Sequence, residues 1–305
     1  MGSVATSSDS NWPSARTLIS PEISEDRRNA GLLGVSTYAT SVTPRSSAST
    51  PQAVRAALER FSTWSFSDGV DLADSVHVVD YGDVDDPDGD GGAQRVRDAV
   101  LSLDQSLELL IVLGGDNAAT WHSLRSISAG DYSGFGMVTL DAHLDLRDGE
   151  SNGSPVRQLL ADGLDAGHVV QVGLGDFSNS PHYARRCAEL GITVISRDEL
   201  RTTSVEEAAR RAVAVAGEGG RRVYVDVDVD AADRSVVPGC PAAVPGGLSA
   251  DEMRRFVRCV AAESSVVAID VTEIDVARDS ADERTVRLAA LLVLEALAGL
   301  RRRSP

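Results

Sequence analysis

Acidic side chains at alternate positions, each set following an apolar run, are where this 305-residue chain could do chemistry. Residues 137–160, MVTLDAHLDLRDGESNGSPVRQLL, open as an apolar strand and then present Asp141, His143 and Asp145, three potential metal ligands. Residues 225–230, VDVDVD, repeat the device, because the two-residue period of a strand puts Asp226, Asp228 and Asp230 on one face and the valines on the other. Burying a row of carboxylates without a counter-charge costs on the order of several kcal/mol each. A cation resolves that repulsion. Oxygen-rich ligands with a single imidazole favour Mn²⁺ over Zn²⁺. Two divalent ions would balance four carboxylates and supply a nucleophile from water, so the chemistry expected is hydrolysis at an electron-poor carbon.

The elements that must position these groups are short apolar runs alternating with amphipathic stretches. Strands are expected at 31–36, 76–80, 109–113, 136–140, 169–172, 192–195, 222–228 and 266–270. Helices are expected at 51–61, 93–103, 118–126, 155–161, 181–190, 204–216, 249–263 and 282–300, several opening on Ser, Asp or Pro as helix N-termini do. Such alternation argues for an α/β fold with one parallel sheet covered on both faces. Ligands of open parallel sheets bind beyond the carboxyl ends of the strands. Four segments meet that condition: LGGDN (113–117), LDAHLD (140–145), VDVDVD and VTEID (271–275). Residues 1–24, rich in Ser, Thr and Pro without a sustained period, are expected to form a flexible arm, and residues 25–305 a single domain. The acidic segment 83–92 lacks the closing glutamate of a calcium loop and is expected to be a solvated surface loop.

Composition narrows the function further. The formal net charge of -17 repels phosphate backbones and anionic lipid surfaces, so neither nucleic acid nor membrane is an expected partner. All 29 basic residues are arginine, which excludes Schiff-base chemistry on lysine and a P-loop lysine. Three widely spaced cysteines, none in a CxxC, fit a reducing cytoplasm. His122, His77, His168 and His182 are expected to be packed or exposed rather than catalytic, and no Ser-His-Asp arrangement has local support.

GGDN, DAHLDLR, DVDVDAADRSVVPGCPAAVPGGLS and DVTEID, taken together, resemble the successive motifs of the arginase or ureohydrolase superfamily. That resemblance implies a three-layer α/β/α fold with an eight-stranded parallel sheet and a dimanganese centre. Within the superfamily, DLRDGESNGSPVRQLL (145–160) and GLGDFSNSPHYARRCAELGITV (173–194) are similar to the formimidoylglutamase branch. Carried over by position, Asp141 and Asp228 would bridge two metals, Asp145 would complete the first metal's shell, and His143 with Asp230 the second's. Asp226 would lie behind the ligands. Glu273 matches the family glutamate that holds a cationic amidine or guanidine. Arg147 falls where the superfamily contacts the amino-acid head of its substrate, and its fork suits a carboxylate. Arg157, Asn152, Ser154 and Asp176 are further expected substrate contacts, with Asn179 and Ser180 shaping the same wall.

This sequence departs from the family pattern twice. Asn117 stands where the family's first-metal histidine follows GGD, which implies a weakly held first metal. Asn152 stands where arginases carry a pocket histidine that shuttles protons, which leaves Asp145 or water to protonate the leaving amine. The activity implied is N-formimidoyl-L-glutamate plus water giving L-glutamate and formamide, a step of histidine degradation. The alternatives are a ureohydrolase releasing urea from a guanidino acid or agmatine, and a metal-binding inactive homologue with a regulatory role. The expected substrate is a small amino-acid derivative, and the resemblance implies a homo-oligomer, trimer or hexamer.

Overall fold

The computed structural model describes residue 9 and residues 11–44 and 50–304. Eleven strands occur among them: β1 (Ile19–Ser20), β2 (Arg28–Val35), β3 (Trp64–Ser65), β4 (Val70–Asp71), β5 (Val76–Asp83), β6 (Leu109–Gly114), β7 (Phe135–Leu140), β8 (Val169–Leu174), β9 (Thr193–Ser196), β10 (Arg222–Asp228) and β11 (Val266–Thr272). The eight helices are α1 (Thr50–Ala57), α2 (Gly92–Leu101), α3 (Ala118–Ile127), α4 (Pro155–Asp162), α5 (Pro181–Leu190), α6 (Val205–Ala216), α7 (Ala250–Ala261) and α8 (Arg284–Arg301). Nine strands form one parallel sheet in the order β1-β5-β2-β6-β11-β10-β7-β8-β9.

The eight expected strands are all present. The ninth is the two-residue edge β1, which pairs with β5 through Ile19 and Ser20. Composition places this stretch in a flexible arm, but Ala15 and Leu18 are buried and join the core. The arm expected over residues 1–24 is therefore not loose at 15–20; residues 1–8 and 10 lie outside the described residues. An antiparallel hairpin of β3 and β4 was not expected either.

A sheet buried on both faces needs strands that are apolar throughout, and all six residues of β6 and of β7 are buried. Helices α1, α6, α7 and α8 pack on one face, contributing Val54, Ala209, Phe256 and Leu292 to the core. Helices α2, α3, α4 and α5 cover the other with Val96, Leu124, Leu159 and Cys187. Local chemistry sets the helix starts. Pro181 begins α5 while the Ser180 hydroxyl accepts from the Tyr183 N–H, and Ser249 and Glu252 form a capping box on α7.

Along the chain β6 leads through α3 to β7, yet β10 and β11 lie between those two strands. The connection diverges there, and the carboxyl ends of β6, β11, β10 and β7 open onto a single crevice. The acidic segment 83–92, expected to be a solvated surface loop, is exposed at Asp83, Asp85, Asp86 and Asp90 and is also held by side-chain bonds. Asp83 pairs with Arg55, Asp86 pairs with Arg95, and Asp88 accepts the N–H groups of Tyr38 and Ala39.

Candidate metal centre and substrate cleft

Each of the four strand ends supplies part of the site, and local bonding explains how. Gly115 follows β6 in close contact with the 37–41 loop, where a Cβ would sit 2.2 Å from the Thr37 carbonyl oxygen. Only glycine fits. The next residue, Asp116, is fully buried and accepts from the hydroxyls of Thr37 and Ser41, which fastens that loop over the crevice. After β7 the chain turns sharply so that Asp141, His143 and Asp145 converge. Asn179 clamps this turn, accepting from the Leu144 N–H at 2.8 Å and donating to the Ala142 carbonyl at 3.0 Å. Gln171 adds a bond to the Leu144 carbonyl at 2.7 Å, a brace that no motif signalled. Asp145 (φ 52°) and Glu273 (φ 66°) both adopt the left-handed backbone region, strain that recurs where a fold holds functional groups in place.

The acidic groups form one buried cluster. His143 Nδ1 lies 2.7 Å from Asp230 Oδ2 and 3.5 Å from Asp141 Oδ1. Ligand atoms of Asp141, His143 and Asp230 fall within 4.8 Å of one another, and so do those of Asp141, Asp145 and Asp226. Asp228 accepts from the Asp230 N–H at 2.8 Å and lines the same opening. Two oxygens, Asp141 Oδ2 and Asp226 Oδ1, are buried with no hydrogen-bond donor. Burial, with the charge of neighbouring carboxylates, holds Asp141, Asp226 and Asp228 well above the usual carboxylate range. Burial likewise pushes Asp145 up to about 7. Burial also opposes charge on His143, but Asp230 beside it outweighs this and raises the imidazole to about 9. For Asp230 burial is again the opposing influence, and the His143 charge overcomes it to keep this carboxyl low. Orphaned buried oxygens among repelling carboxylates are what a divalent cation relieves, so the donor set fits manganese.

Asn117 does not present the expected ligand atom to this cluster. Its Oδ1 accepts from the Thr120 and Thr272 hydroxyls at 2.8 and 2.9 Å, and its Nδ2 donates to Asp145 at 2.7 Å and Asp226 at 3.3 Å. The amide therefore offers hydrogens where a metal would need a lone pair. Asp226, expected behind the ligands, has a carboxylate oxygen within 4.8 Å of those of Asp141 and Asp145.

Above the cluster opens a cleft of about 330 Å³, lined by His143, Asp145, Asp228, Asp230, Glu273 and Arg147 among others. Glu273 Oε1 accepts from the Asn117 N–H at 2.9 Å and from Asn152 Nδ2 at 2.7 Å. Asn152 Oδ1 in turn accepts from the Val42 N–H, so Asn152 lines the cleft while joining Glu273 to the overlying loop. Arg147 is exposed to the cleft, and its guanidinium makes no hydrogen bond or ion pair with any described residue. Asn179, Ser180 and Tyr183 complete one wall.

Three expected substrate contacts sit elsewhere. Ser154 is fully buried at the start of α4 and bonds only to Ser151 and Gln158. Arg157 points back along the chain, donating to the Arg147 and Gly149 carbonyls, and so braces the loop that carries Arg147. Asp176 is exposed and outside the residues lining the cleft.

Known proteins are similar to this chain in sequence and fold. Formimidoylglutamase from Halalkalibacterium halodurans is 31% identical over 278 residues, covering 88% of this chain and 86% of its own length. The crystal structure of formimidoylglutamase from Bacillus subtilis superposes with a TM-score of 0.90 at 26% identity, covering 100% of this chain and 97% of that one. Trypanosoma cruzi formiminoglutamase, solved with Mn²⁺, shares the fold at a TM-score of 0.84 and 22% identity, covering 96% of this chain and 100% of that one. The family model described as the arginase family matches residues 28–299, and the chain belongs to that family.

Proposed function

We propose that this chain is a manganese-dependent formimidoylglutamase, converting N-formimidoyl-L-glutamate and water into L-glutamate and formamide. The observation that carries the reading is one cleft with a buried carboxylate cluster at its floor and, on its wall, the Arg147 guanidinium that no described residue engages. A substrate that is cationic at its reacting end and carboxylated at the other matches both. Relatives of about a third identity along most of the chain bear the same activity in their names.

Asp141, His143, Asp145, Asp228 and Asp230 would hold two ions, the first weakly if Asn117 were among its ligands. When bound, manganese lowers the pKa of water and so furnishes a nucleophile at neutral pH. Glu273, oriented by Asn152 and by the Asn117 N–H, accepts hydrogen bonds from the amidinium and turns the formimidoyl carbon toward the cluster. Arg147 binds a substrate carboxylate, which fixes the other end. The loop fastened by Asp116 and Asp88 limits access of bulk water to the floor. Asp145 takes a proton from the attacking water and returns it to the glutamate nitrogen as the carbon–nitrogen bond breaks, releasing formamide and an amine. Asn152 has no titratable proton and so serves position only.

The test is a substrate panel with manganese-loaded protein: formimidoylglutamate, agmatine, arginine and guanidinobutyrate, scored for formamide and urea. Formamide from the first alone is the expected result. Urea from a guanidino compound, with no formamide, refutes the assignment. The same reading places the chain in the cytoplasm as a homo-oligomer, trimer or hexamer; light scattering that returned a monomer at micromolar concentration would reject the assembly. None of the described helices is long and apolar enough to cross a membrane.

A further inference from the structure

We infer that Asp226, and not Asn117, completes the ligand set of the first metal, which makes that site all-carboxylate: Asp141, Asp145, Asp226 and Asp228. The inference rests on the proposed manganese hydrolase and concerns which residues of this chain hold the ion.

Four observations lead to it. First, the ligand oxygens of Asp141, Asp145 and Asp226 already lie within 4.8 Å of one another. Metal–oxygen bonds of about 2.2 Å require ligand atoms no more than roughly 4.4 Å apart, so a small contraction closes the set. Second, Asp226 is fully buried, and its Oδ1 finds no hydrogen-bond donor. Third, both lone-pair directions of the Asn117 carbonyl are taken by Thr120 and Thr272. Turning the amide over would set its oxygen 2.7 Å and 3.3 Å from the Asp145 and Asp226 carboxylates, oxygen against oxygen. Fourth, Asp226 and Asp228 share a face of β10 by the strand's two-residue period, so both reach the side where Asp141 stands.

The neighbouring acid, Asp270, is not a competitor for the ion. Its Oδ2 accepts from the Tyr224 hydroxyl and its Oδ1 from the Val227 N–H, so both oxygens have a donor without Thr120. Asp226 Oδ1, by contrast, has no donor. In ligand terms, a hard anionic oxygen replaces a neutral imidazole, so the first site selects for Mn²⁺ over Zn²⁺. Asn117 becomes a positioning residue, since its Nδ2 steers Asp145 and Asp226 while its backbone N–H holds Glu273.

Metal content separates the possibilities. Wild-type protein, Asp226→Asn and Asn117→Ala are each loaded with manganese, desalted and analysed for ions per chain, with circular dichroism to confirm folding. The expected outcome is two ions in wild type and in Asn117→Ala, and one in Asp226→Asn. Direct ligation has a second readout in Asp226→Cys loaded with Co²⁺: an intense thiolate-to-cobalt charge-transfer band, which a cysteine outside the coordination sphere does not give. Two ions retained in Asp226→Asn, or one lost in Asn117→Ala, overturns the inference and leaves the proposed activity standing. Wild-type protein that takes up no manganese overturns both.

Discussion

Replacing Arg147 with methionine tests the substrate end of the cleft while leaving its floor intact. The side chain faces the cleft, and because no described residue bonds to its guanidinium, the substitution breaks no protein contact at that end. A charge-assisted hydrogen bond to a carboxylate contributes about 1.5–3 kcal/mol. Arg147 is exposed, so solvent screens the pair and the contribution of a bidentate contact reduces to about 2 kcal/mol in total. That corresponds to a loss of roughly 30-fold in kcat/KM for formimidoylglutamate. Because the carboxylate is remote from the breaking bond, the loss falls mainly on KM. Arg147→Lys keeps the charge but not the fork and recovers only part of it. Gly153→Ala reports on the same group from outside, since a Cβ there would come 2.6 Å from Arg147 Cδ and displace its stem. The assay is steady-state formamide release, with a formimidoyl alkylamine lacking carboxylates as the control substrate. A change under twofold for formimidoylglutamate, or an equal loss on the control, refutes the role given to Arg147.

Two further outcomes concern the floor of the cleft. Asn117→His puts an imidazole lone pair where Nδ2 now donates to Asp145, so manganese affinity rises about tenfold by calorimetry; unchanged affinity would show that position 117 does not face the first ion. Without metal, burial raises Asp145 to about 7 in the folded state, above its unfolded value of 3.8. A raised carboxylate contributes stability that is present at low pH and lost as pH climbs from the unfolded to the folded value. His143, raised to about 9, acts in the same sense. The metal-free protein is therefore expected to melt lower at about pH 8 than at about pH 5, with manganese restoring the loss at the higher pH. Scanning calorimetry after chelation measures it, and a higher melting temperature at pH 8 without metal would contradict the burial argument.

What could be read from the residues follows from how local each determinant is. β6 and β7 are legible because a strand buried on both faces must be apolar along its whole length, and each is followed within two residues by an acid, Asp116 or Asp141. β1 is not legible, since two residues carry no period and Ile19 is ordered by pairing with Val78, far along the chain. The hairpin of β3 and β4 escapes for a related reason: Trp64 and Phe66 are exposed, so no alternation of apolar and polar residues marks it. At the site, alternation alone picks out Asp141, His143 and Asp145 in one segment and Asp226, Asp228 and Asp230 in another, and the fold brings the two segments into one buried cluster. Ser154 and Arg157 look like pocket residues because they follow the ligand motif closely. The chain instead folds back on itself, and their polar atoms satisfy neighbouring turns.

Asn117 and Asp226 show where reading by position stops. At position 117 an amide could supply either an oxygen or two hydrogens to a metal site, and nothing within the segment GGDN decides which. The choice is made by two hydroxyls, Thr120 on the helix just beyond and Thr272 at the end of β11, 155 residues away in sequence. Once they claim the amide oxygen, its nitrogen must face the carboxylates, and the ion must find its oxygen elsewhere. Asp226, grouped with Asp141 and Asp145, is a buried acid within reach that has an oxygen without a donor. The departure from the family pattern at one strand end is thus answered at another, through contacts that exist only once β6, β10 and β11 lie side by side.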